Sequence, residues 1–141
     1  MEYDFNNPEE RENYYALVDP HQPHTHHSTL RRLFRLEMNY RENSADQEYY
    51  ENLYWCGFLL YRIGDFQDVE MMWKAKHINM DTGCGFDGQN LVGAGVTETI
   101  EFCLKNNLIK IADYINQMND AGEFDDLDEW FESKITYFYS D

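Results

Sequence analysis

The sequence contains no run of 18 or more apolar residues, so it lacks the signature of a transmembrane helix. It begins MEYDFNNPEE, acidic and polar where a secretory leader needs a basic start and an apolar stretch. Cysteine is scarce: Cys56, Cys84 and Cys103 are odd in number and far apart, which suits a reduced, cytoplasmic protein better than a disulfide framework. Basic residues are also few, 11 against 27 acids, and the formal net charge is −16. Such a field repels nucleic acid and anionic membranes and accelerates encounter with a basic partner.

The aromatic share, by contrast, is high at 16%, with eleven Tyr and nine Phe, which a disordered acidic tail would not carry. At 141 residues the chain suits a single domain able to bury about two-thirds of its unfolded surface. The charge is uneven. Residues 1–20 hold six acids and one base, and residues 120–141 hold eight acids and one base, so the two ends supply most of the excess.

Pro8 followed by Glu9, Glu10 and Glu12 predicts a helix over about 8–18, because proline is tolerated in the first turn and acids suit the positive end of the dipole. The stretch DPHQPHTHH at 19–27 reads as a loop. A helix is expected at about 28–43, capped by Ser28 or Thr29, although Leu36, Met38 and Tyr40 alternate as a strand would. Asp46 caps a third helix with Tyr50, Leu53, Tyr54, Gly57, Leu60 and Tyr61 on one stripe. Gly64-Asp65 closes it and opens a fourth over about 65–79. Five glycines make 80–95 a loop, with one helical turn at Gln89–Val92. Helices over about 96–105, 107–120 and 125–138 complete the pattern. The expectation is an all-α single domain, 1–141, of about seven helices. They form either stacked hairpins like a short α-solenoid or an irregular bundle, with 1–27 an acidic helix plus His/Pro-rich loop and 28–141 the helical core.

Several constellations could carry chemistry. His21, His24, His26 and His27 resemble a metal cluster, but a zinc site wants ligands from a second, rigid segment, so a polar loop is the simpler reading and no metal or cofactor is expected. Arg31, Arg32 and Arg35 form a local basic patch, expected to pair with the acidic ends, across the domain or between subunits. The loop Asp81–Gln89 fails the calcium-loop pattern and lacks a Walker lysine. A thiol nucleophile at Cys84 would need His77 as its base. No catalytic residue is assigned. Asp81 and Asp87 are instead candidates in a binding loop. The acidic run Glu123, Asp125, Asp126, Asp128, Glu129 and Glu132 surrounds Trp130 and exceeds what helix capping needs. It reads as a docking face for a basic protein, with Trp130, Tyr137 and Tyr139 as candidate anchors.

Four segments carry a resemblance: W-x-A-K at Trp73–Lys76, D-T-x-C-G-F-D at Asp81–Asp87, L-V-G-A-G-V at Leu91–Val96, and G-E-F-D-D-L at Gly122–Leu127. In these the chain resembles small acidic bacterial immunity proteins of polymorphic-toxin and contact-dependent inhibition systems. The resemblance implies a cytoplasmic, non-catalytic protein that binds and blocks one cognate toxin, and it carries no site residue across. The leading expectation is an antitoxin occupying the basic cleft of a nuclease-like toxin domain. A helical protein-interaction or regulatory module without a toxin is the alternative, and an enzyme using Asp81, Cys84, Asp87 or His77 is the third class.

Overall fold

The computed structural model describes residues 2–43 and 51–140. Among them the backbone forms eight α-helices and no strand. These are α1 (Pro8–Leu17), α2 (His27–Asn43), α3 (Asn52–Ile63), α4 (Val69–Lys76), α5 (Met80–Gly85), α6 (Val96–Lys105), α7 (Ile109–Asp120) and α8 (Leu127–Tyr139). The all-α class expected from the sequence is the fold observed.

Local chemistry explains most boundaries. Pro8 starts α1 while the Asn7 side chain accepts from the Glu9 amide at 2.9 Å, satisfying a donor that the first turn leaves free. Gly64 ends α3 in the left-handed region at φ 71°. The expected cap Asp46 and the stripe residue Tyr50 lie outside the described residues. The helix expected over 65–79 divides: the Asp65 side chain accepts from the Gln67 amide to start a 3-10 turn, Phe66–Asp68, and only then does α4 begin. Likewise α2 starts at His27, after a 3-10 turn over His24–His26 rather than at a Ser28 or Thr29 cap.

The segment 80–95 is more ordered than a glycine-rich loop should be. Asn79 accepts from the Thr82 amide while Thr82 Oγ1 accepts from the Asn79 amide, a reciprocal capping box that launches α5. At its other end the half-buried Lys76 ammonium donates to the carbonyls of Gly83 and Phe86, both at 2.7 Å. A cation at a helix C-terminus offsets the carbonyl dipoles. A 3-10 segment follows at Gly88–Val92, near the single turn expected there.

Helix α3 is apolar nearly all round, and such a helix belongs inside. Leu53, Trp55, Cys56, Phe58, Leu59 and Leu60 are all buried. The α2 side chains Leu30, Leu33 and Phe34 pack along it, and α2–α3 and α6–α7 are the two most extensively packed helix pairs. On another side α8 lays Phe131 and Phe138 against Phe58, with ring centroids 5.0 and 5.6 Å apart. Tyr15 of α1 reaches Trp55. Each such fully buried ring contributes about 1.5–3 kcal/mol relative to exposure.

Charge also enters the core. Arg11 Nε and Nη2 donate to the two Glu37 oxygens at 2.8 and 3.1 Å, and the Tyr15 hydroxyl donates to Glu37 Oε2 at 2.6 Å. Burial pushes the Glu37 carboxyl upward, opposed by Arg11 and Tyr15. The basic patch resolves differently from expectation. Arg31 does not reach the acidic ends; its Nε donates to buried Asp68 at 2.6 Å, with Asp65 at 3.4 Å and His27 on the same carboxylate. Arg32 lies over the Phe5 ring. Nearer acids in the fold thus win over distant ones.

The last helix fastens the first. The Tyr139 hydroxyl meets the carbonyls of Tyr15 and Val18 at 3.1 and 2.8 Å, where α1 ends. Burial raises Tyr139 to about 12 and puts Tyr15 well above its ordinary 10. A phenol whose pKa is higher when folded contributes stability below its unfolded value, lost as pH rises toward the folded one. Alkaline titration followed by circular dichroism is therefore expected to show stability falling from about pH 10 upward, and Tyr139→Phe should soften that fall. An unchanged alkaline profile in that variant would count against the assignment.

Candidate partner-binding face

The segment joining α7 to α8 places the acidic run. Gly122 turns the chain at φ 81°, Phe124 is buried, and Gln89 Nε2 donates to the Glu123 carbonyl at 3.3 Å. Asp126 then caps α8, its side chain accepting from the Glu129 amide at 3.2 Å, so the helix begins at Leu127 instead of 125. Between these fixed points Glu123, Asp125, Asp126, Asp128, Glu129 and Glu132 are all exposed. A hydrogen bond that its protonated form donates to Asp126, together with that neighbour's charge, raises the Glu129 carboxyl above its ordinary value. Like charges are thus held close enough to feel one another.

Trp130 departs from its expected role. It points into the fold, packing edge-on to Phe58 and Tyr61 with centroids 5.9 and 4.9 Å apart. Its indole Nε1 donates to Asp87 Oδ2 at 3.0 Å. Asp87 in turn is paired with Lys134 at 2.7 Å. Both residues therefore hold α8 against the 80–95 segment. Packing a face of the aromatic ring against the core outweighs exposing the whole ring, and an indole N–H drawn inward needs an acceptor, which Asp87 supplies. Tyr139 is likewise committed to α1, as described. Tyr137 stays exposed, its hydroxyl donating to Glu51 at 2.6 Å. Asp81 is exposed in the first turn of α5, joined to α3 through its carbonyl, which accepts from Tyr54.

A contribution to this face that sequence reasoning missed comes from the end of α1. His21 sits edge-on to Phe131 with Asp19 at 3.7 Å from Nδ1 and Glu132 at 3.5 Å from Nε2. Arg62 Nε holds the His21 carbonyl at 3.0 Å. The two acidic ends of the sequence thus meet across one imidazole. No local pattern announces this, since Asp19 and Glu132 are brought together only by how α1 and α8 share α3.

The remaining histidines diverge. His26 Nδ1 bonds the Tyr14 hydroxyl and His27 joins Asp68, and among the described residues no group of three or more His, Cys, Asp or Glu side chains could hold a metal ion. His77 lies on the Trp73 ring with Nδ1 2.8 Å from the Trp73 carbonyl, while Cys84 is exposed on α5. No described helix is long and apolar enough to cross a membrane. Compared with protein-family models, with curated proteins and with solved structures, the chain finds no match in any of the three.

Proposed function

We propose that this chain is an immunity protein, an antitoxin that binds and neutralises a cognate bacterial toxin domain of basic, nuclease-like surface. The observation that carries the reading is the row of six exposed carboxylates over residues 123–132, joined by Asp19 through His21. Those carboxylates stand on a helix start pinned by Trp130, Phe131 and Phe138. A rigid, single-signed surface steers a basic partner and loses little side-chain freedom when it docks. An enzyme acting on RNA or DNA must itself present a basic cleft, and such a cleft is what this face complements.

The test is co-expression with the product of the adjacent gene in a growth-arrest assay, followed by association kinetics on the purified pair. Growth should be rescued. Neutralising four acids together (Asp125→Asn, Asp128→Asn, Glu129→Gln, Glu132→Gln) is expected to slow association at least about tenfold at low salt and to flatten its salt dependence, with dissociation changed less. Cys84→Ala should rescue as well as the parent chain. Failure to rescue, with recovery of unrelated housekeeping partners instead, would overturn the toxin reading in favour of a general interaction module.

A further inference from the structure

Of the large apolar side chains exposed among the described residues, Leu17, Met80, Leu104, Ile109 and Tyr137, three fall in settings of opposite charge. Leu17, 71% exposed, ends α1 two residues before Asp19, whose imidazole neighbour also faces Glu132. Leu104 and Ile109, 50% and 49% exposed, stand where α6 turns into α7. Beside them opens a groove of about 390 Å³ walled by Trp73 and Leu108, with Lys74 and Lys110 on its rim.

The lysines are distributed in a way that composition does not explain. Lys76 is turned inward onto two carbonyls and Lys134 is spent on Asp87. The other three, Lys74, Lys105 and Lys110, are exposed; Lys74 on α4 and Lys110 on α7 line this groove together with Glu70, and Lys105 ends α6. Glu70 offsets Lys74 from 4.0 Å, which leaves Lys110 to set the local sign.

An apolar knob among carboxylates and an apolar groove among amines are complementary when carried by two copies of one chain. We infer that the protein associates with itself head to tail, Leu17 of one copy entering the α4–α7 groove of the next while Asp19 and Glu132 face Lys74 and Lys110. The net charge of −16 opposes association at long range. At physiological ionic strength, however, charges more than about 8 Å apart are screened, and the local pairs decide. A contact of this size is weak and concentration-dependent. Its two sides are different surfaces, so it can propagate beyond a dimer.

The acidic end used here overlaps the face proposed for the toxin, so self-association and toxin binding compete. The test needs no toxin, and its failure leaves the toxin reading untouched. Sedimentation velocity of the full chain at physiological ionic strength should show the average mass rising with concentration from 16.9 kDa toward at least twice that value, and returning to monomer at high salt, where the local ion pairs are screened as well. The acid-side variant (Asp19→Lys, Glu132→Lys) and the lysine-side variant (Lys74→Glu, Lys110→Glu) should each stay monomeric, with unchanged circular dichroism. Mixed in equal amounts they regain complementary charges, and the mass should rise again. Ile109→Asp should abolish association in the otherwise natural chain. A natural chain that stays monomeric at every concentration, or a mixture no heavier than its components, would sink the inference.

Discussion

Replacing Glu37 with leucine is expected to cost about 3–5 kcal/mol of folding stability, the largest single effect in this molecule. The carboxylate is 1% exposed and takes two hydrogen bonds from Arg11 and one from Tyr15. Without it the Arg11 guanidinium, itself 2% exposed, is left as a buried charge with its bidentate partner gone. An uncompensated buried ion costs more than the intact pair contributes. A domain of this size has about 5–15 kcal/mol in total, so the variant should melt roughly 10 °C or more below the parent. Removing both partners, Arg11→Met with Glu37→Leu, should recover most of the loss, because neither charge then remains to be desolvated.

Arg11→Met alone should behave differently from Glu37→Leu. A lone buried carboxyl can take up a proton, which a guanidinium cannot shed. Burial already drives Glu37 upward, so in this variant its folded pKa stands above the unfolded value. Stability is then retained below the unfolded pKa and lost as pH rises through the folded one. The deficit of Arg11→Met should accordingly widen from pH 5 to pH 8. Thermal melts of the three variants at both values check the whole set. A double variant as unstable as Glu37→Leu would contradict the account.

The second large effect concerns Gly93. Its φ of −60° is open to any residue, so the glycine is not needed for its backbone angle. A Cβ there would fall well inside contact distance of the Tyr61 carbonyl oxygen, a backbone atom near the end of α3 that cannot rotate aside. Across the gap Gly64, in the left-handed region, would put a Cβ 2.8 Å from the Gly93 oxygen. The end of α3 and the end of the Gly88–Val92 turn therefore touch backbone to backbone. Gly93→Ala should force them apart at a cost of about 1–3 kcal/mol or more. Gly83→Ala is the matched control. It lies inside α5, and its nearest neighbour would be the Lys76 oxygen at 3.6 Å, an ordinary contact. That variant should gain about 0.5–1 kcal/mol from the better helix former. Urea denaturation of both should show opposite signs, and two losses of equal size would refute the distinction.

These glycines also show where the sequence can be read and where it cannot. The 3.6-residue spacing that marks α3, α6 and α7 is local, and so are the caps at Asn7 and Gly64, so these elements are legible. Helix α5 is hidden because Gly83 and Gly85, two of the five glycines in the loop expected over 80–95, suggest a turn by composition, while the capping box that starts the helix uses an Asn–Thr pair in place of the usual Ser/Thr–Glu. The acidic run on α8 is legible as an exposed row because its excess of carboxylates has nowhere to be buried. Trp130 is not, since its side of the helix is decided by Phe58 and Tyr61, about seventy residues earlier. The junction of Asp19 and Glu132 and the Arg11–Glu37 pair are equally tertiary facts, with no local period to betray them.

The bond from Tyr139 to the end of α1 spans a sequence separation of 124 and 121 residues to its two carbonyls. During synthesis the first helix therefore waits, its last turn without that donor, until α8 has emerged. Contacts of such long range form late and slowly. The joined acidic face consequently waits for α8: a chain made only as far as α7 displays Asp19 without Glu132 beside it.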